Sequence, residues 1–167
     1  MKIISLCGDD NCGKTTSIKY LLCKILHEHE NARSIYWYKN LTEQEILDSM
    51  HGKRGRLHDN ITTIVDLDGI AIGITSFGDD VGTLRLKFSR FQKFGCKIYV
   101  CASHPEPKMQ QALAEYVSKS EDLILVEKSR AACAEDYEQE NKAAADALYD
   151  VLMECVREIK GEISDKN

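Results

Sequence analysis

Residues 1–22 read MKIISLCGDDNCGKTTSIKYLL. The run 2–7, KIISLC, is short and apolar, as a buried strand requires. Gly8, four residues, then Gly13-Lys14-Thr15 give the spacing G-x-x-x-x-G-K-T. Beyond it, Ile18, Leu21, Leu22, Ile25 and Leu26 fall at i, i+3, i+4, i+7 and i+8, one apolar face of a helix. Strand, glycine-rich turn and helix form the context in which this spacing has physical meaning. Loop amides and a helix N-terminus together make a concave, positive site for a phosphate chain. Lys14 sets a charge against β and γ phosphates, and the Thr15 hydroxyl is placed to hold Mg²⁺.

Strands and helices alternate through the rest of the chain. Residues 34–38, SIYWY, read as a second strand. Thr42 and Glu45 form a capping box, with Leu41 and Ile46 at the spacing of a hydrophobic staple, so a helix is expected over about 43–50. Loop 51–60 gathers His51, Lys53, Arg54, Arg56 and His58 and has no apolar period; besides a solvated loop, it reads as a lid, a phosphate clamp or a nucleic-acid contact. The β-branched runs 61–66 and 70–76 flank Leu67-Asp68-Gly69, which predicts a hairpin. A helix follows Asp80, with Val81, Leu84, Phe88 and Phe91 on one face. Residues 97–102 form another buried strand, and Pro105 and Pro107 open a helix carrying Met109, Ala112, Leu113, Tyr116 and Val117. A last strand over 123–127 and a last helix carrying an apolar stripe from Ala144 and Leu148 to Val156 and Ile159 precede a frayed tail, 161–167. The pattern predicts an α/β three-layer sandwich. Its central sheet is mostly parallel, with one antiparallel hairpin strand.

The 167 residues suit a single domain, 1–167. No apolar run approaches the roughly 18 residues of a membrane helix, and polar Asp9, Asp10 and Asn11 interrupt the N-terminal run too early for a signal peptide. Net charge of -5 argues against bulk nucleic-acid binding. Seven cysteines without a C-x-x-C pair read as reduced thiols of a cytoplasmic protein rather than a zinc site.

On Gly8 to Thr16 the chain resembles the P-loop NTPase superfamily. The resemblance extends to the architecture of the whole domain, but the specific motif is confined to that loop. It implies the P-loop fold and a magnesium nucleotide, ATP or GTP. Gly8, Asp10, Asn11, Cys12, Gly13, Lys14, Thr15 and Thr16 would hold it, with Lys14 catalytic and Thr15 on the metal. Members with a second lysine early in the loop have it where this chain has Asp9 and Asp10. Those carboxylates point outward, or one reaches Mg²⁺ through water.

The superfamily also places an acid near Mg²⁺. Asp66 fits by sequence but falls at the far end of the predicted hairpin. Thr75-Ser76-Phe77-Gly78 is similar to the D-x-x-G of small GTPases, with Thr75 in place of the aspartate. Asp79 and Asp80 are then the candidate catalytic acids, and Asp80 is equally an N-cap for the helix behind it. Strand 70–76 is expected to parallel strand 2–7, which brings this turn to the edge that holds Lys14. Ala102-Ser103-His104-Pro105 lacks the GTPase N-K-x-D, so ATP is the default. Ser129-Arg130-Ala131 stands where the superfamily borders the base, Arg85 and Arg90 are candidate fingers, and His104 sits at the active edge. Three functions remain open: an NTPase acting as a switch or accessory of a partner protein, a kinase for a small-molecule acceptor, and a nucleotide-binding module without turnover. Oligomeric state is left open.

Overall fold

The computed structural model describes residues 1–38, 40–52 and 60–164. Elements follow in the order β1 (Lys2–Cys7), α1 (Lys14–Glu28), β2 (Arg33–Tyr36), α2 (Glu43–Met50), β3 (Thr62–Leu67), β4 (Ile70–Thr75), α3 (Val81–Lys93), β5 (Ile98–Ser103), α4 (Pro107–Ala114), β6 (Leu123–Glu127) and α5 (Tyr137–Ser164), with one 3₁₀ turn at Ser120–Asp122. The sheet has six strands in the order β2-β3-β4-β5-β1-β6. β4 pairs parallel with β5, β5 with β1, and β1 with β6. β3 alone runs against its neighbours β2 and β4.

Alternation along the strands sends side chains to two cores. Ile4, Leu6, Ile72, Ile74 and Val100 join Ile18, Leu22 and Leu148 from α1 and α5. Ile3, Tyr99 and Cys101 join Leu84, Phe88 and Phe91 of α3, with Met109 and Leu113 of α4. Helices therefore cover both faces, and the α/β architecture is as the sequence predicts.

The hairpin turn has positive φ at Asp68 and Gly69, 53° and 81°. Both central residues positive is the twist-matched two-residue turn of antiparallel ribbons. The Asp66 carboxylate accepts the Gly69 N–H at 3.0 Å, and Asp68 pairs with Lys160 at 2.7 Å. Asp66 is thus committed to the turn. The capping box forms as expected: Thr42 N donates to Glu45 Oε2 at 3.0 Å and Glu45 N to Thr42 Oγ1 at 3.2 Å.

Several boundaries differ from the sequence reading; β3 and β5 begin one residue later than expected and β4 ends at Thr75. β2 stops at Tyr36 because its register slips after Ser34 and Trp37 takes φ 59°. α4 stops at Ala114; Tyr116 N donates back to Leu113 O in a tightened turn, and Tyr116 and Val117 still pack on the second core. α5 runs through Ser164, past the expected fraying point at Gly161. Lys53, Arg54, Arg56 and His58 lie outside the described residues.

Candidate functional site

The strands that flank β1 set the site. Lys128 N donates to Cys7 O at 2.7 Å and Gly8 N to Ser103 O at 3.1 Å, which pins the start of the loop between β5 and β6. Space there is short. A Cβ on Gly8 would lie 2.4 Å from Lys128 O and 2.8 Å from Cys12 Sγ. Asn11 and Gly13 take positive φ, 57° and 96°, as the loop curls into α1. A cleft of about 210 Å³ opens over this curl, lined by Asp10, Asn11, Cys12, Gly13, Lys14, Thr15, Thr16, Asp79 and Tyr137. Whole drug-sized ligands take pockets of about 300–1,000 Å³. This cleft matches a smaller, polar fragment.

Lys14 is buried, and its ammonium donates to the Gly8 and Asp9 carbonyls at 2.7 and 2.6 Å. The loop therefore closes around its own lysine. The Thr15 hydroxyl donates to Asn60 Oδ1 at 3.3 Å. Ser76 Oγ donates to the same oxygen at 3.2 Å and accepts Ile61 N at 2.8 Å. Asn60 thus joins α1 to the end of β4.

The turn after β4 lies on the same sheet edge as Lys14, since Asp79 lines the cleft. Asp80 does not line it. Its carboxylate accepts Thr83 N at 2.6 Å as the N-cap of α3, and that bond holds its pKa below the usual carboxylate value. Asp79 Oδ1 instead lies 3.1 Å from His104 Nε2, and Asp10 Oδ1 lies 3.2 Å from the same nitrogen. Thr75, in the place of the GTPase aspartate, is fully buried and hydrogen-bonds Thr62 Oγ1 at 3.0 Å. Gly78 is dictated by packing, because a Cβ there would lie 2.0 Å from Ala102 O.

The arginines of α3 are occupied elsewhere. Arg85 pairs with Glu115 at 2.6 Å, and Arg90 lies over Trp37 at 5.3 Å. Ser129 and Arg130 are exposed beyond β6.

Four residues at the site have no signal in their local sequence: Asn60, Lys128, Tyr137 and Asn141. Tyr137 donates its hydroxyl to Asn11 O at 3.3 Å. Asn141, buried on α5, accepts Ser17 Oγ at 3.3 Å and packs on Gly13. The Lys128 ammonium and Asn141 Nδ2 are buried without a hydrogen-bond partner among the described residues.

No protein-family model matches the chain, and neither does any curated protein or solved structure. Among the described residues, no helix is long and apolar enough to cross a membrane.

Proposed function

We propose that the chain is a small P-loop NTPase that binds a magnesium nucleotide, ATP by default, and hydrolyses its terminal phosphoanhydride with water to a nucleoside diphosphate and inorganic phosphate. The observation that carries this reading is the curl from Gly8 to Lys14. It joins the carboxyl end of a central parallel strand to a helix N-terminus, with glycine at two positions where a Cβ would collide with its surroundings. Ligands of open α/β sheets bind at that edge.

The residues present fit the group. The backbone around Gly8, Asn11 and Gly13 forms the cradle, with Asp10, Cys12 and Thr16 completing its walls. Thr15 would hold Mg²⁺, which supplies charge neutralisation at the β and γ phosphates. Lys14, which bonds the Gly8 and Asp9 carbonyls, would turn to the phosphate oxygens when the nucleotide is bound. Asp79 brings a second carboxylate to the cleft beside Asp10, and Asp80 supports it by fixing the start of α3.

A binding module without turnover is the second reading. Thr75, hydrogen-bonded inside the sheet, cannot supply the carboxylate that the GTPase-like turn would carry there. One experiment separates the readings: thermal-shift titration with ATP and GTP, with and without Mg²⁺, followed by release of labelled phosphate. A magnesium-dependent shift with phosphate release supports the NTPase, and a shift without release supports the binding module. Label passed to a small acceptor would indicate a kinase, and no shift would refute all three.

A further inference from the structure

Asp10, Asp79 and His104 come from three different segments, the loop after β1, the turn after β4 and the first residue after β5. The three strands are neighbours in the order β4-β5-β1, so their carboxyl ends deliver the three side chains to one point. One donor atom from each, His104 Nε2 and a carboxylate oxygen of either aspartate, lies within 4.8 Å of the other two. We propose that this trio is a binding site for a first-row divalent transition-metal cation, Zn²⁺ foremost, distinct from the magnesium of a nucleotide.

The distances carry the argument. Two carboxylates converge on one imidazole nitrogen, at 3.1 and 3.2 Å. A single N–H on Nε2 has one direction and serves one acceptor well. Ligands bonded at about 2.0–2.2 Å to one ion stand roughly 3.0 Å apart at octahedral angles and roughly 3.4 Å at tetrahedral ones. The two observed separations fall between those values. The site is also held from behind. His104 is largely buried, and Gln110 Nε2 donates to its backbone carbonyl at 2.8 Å. Both aspartates are exposed, which leaves the solvent side open for water or a further ligand. Three protein ligands with an open position is the pattern of exchangeable rather than purely structural sites. The imidazole selects zinc or nickel over magnesium, which prefers oxygen throughout.

The test is calorimetric titration of the reduced, nucleotide-free chain with ZnCl₂ and, separately, MgCl₂. It is done in a Cys133→Ser background, because Cys133 is an exposed thiol. Saturable binding of one Zn²⁺ is expected, weakened at least tenfold by His104→Ala and by Asp79→Asn, with no comparable binding of Mg²⁺. His104→Gln, closer in volume, guards against a folding defect and should weaken Zn²⁺ as well. Absence of saturable binding, or unchanged affinity in folded His104→Ala and His104→Gln, means an ion pair only and overturns the proposal. Lys14→Ala should keep the Zn²⁺ affinity of its parent while losing any ATP shift. Zinc binding through the trio in a chain that gives no ATP shift supports the metal site and defeats the nucleotide reading alone.

Discussion

Asn141 of α5 occupies the space where Gly13 would carry a side chain: a Cβ on Gly13 would come within 2.1 Å of Asn141 Oδ1. The same glycine has φ +96°, a conformation that L side chains rarely adopt. Both constraints act against Gly13→Ala, whose expected cost is about 1–3 kcal/mol. The variant should melt earlier and give no ATP-dependent thermal shift. Adding Asn141→Ala should recover the packing part of the loss but not the backbone part. A double-mutant cycle in denaturant with zero coupling would contradict this.

Asn60 shares its carbonyl oxygen between the hydroxyls of Thr15 and Ser76. Asn60→Ala should cost on the order of 1 kcal/mol, as lost half-buried hydrogen bonds do. Asn60→Asp adds a carboxylate beside the proposed metal ligand Thr15. It should lower the Mg²⁺ concentration at which ATP gives half its full thermal shift. An unchanged midpoint would show that Asn60 does not face the metal.

Asp80 caps α3, and its pKa is lowered chiefly by the Thr83 backbone N–H. The sign follows from the depressed folded value. The cap's stabilisation is fully present above the unfolded carboxyl value, near 3.8, and is lost as pH falls through the lower folded value. Asp80→Ala should lower Tm by a few degrees at neutral pH. The gap to the parent should narrow on acidification below about that point. Asp80→Asn should retain most of the cap. Loss of phosphate release in Asp80→Asn with unchanged Tm would instead make Asp80 a catalytic group.

Gly73, inside β4, faces the Phe91 ring, and a Cβ would lie 2.4 Å from it. Phe91 is fully buried and packs against Phe88 and Tyr99. Gly73→Ala should therefore destabilise by about 1–3 kcal/mol through overpacking. Chemical denaturation measures it, and wild-type stability would show that the ring can move aside.

What was legible in the sequence was local. The opening strand, curl and helix announce themselves through period and glycine spacing within 26 residues. The Thr42–Glu45 capping box and the Asp68–Gly69 turn involve neighbours only a few positions apart. Asp80 as a cap was legible for the same reason. The remaining features of the site depend on pairings that no local pattern encodes. Asn141 meets Ser17 across 124 residues, and Asn60 meets Thr15 across 45. His104 could be placed at the active edge, but its two carboxylate partners depend on the order of β4, β5 and β1, which periodicity does not give. The early end of β2 likewise comes from a register slip against β3, visible only once the strands are paired.

The distribution of sulfur equips the molecule with its own clock. Cys23 and Cys155 lie in the core that packs α1 and α5, while Cys96 and Cys101 lie in the core under α3 and α4. Burial pushes the Cys23, Cys96 and Cys101 thiols up to about 12, so in the native state they are inaccessible and almost wholly protonated. Alkylation of these sulfurs must wait for the layer around them to open. Pulsed labelling read by mass spectrometry would then time the two sides of the sheet separately within one chain, with no engineered probe. Equal rates at Cys23 and Cys101 would mean that both layers come apart in one event. Faster reaction at one would identify the layer that yields first.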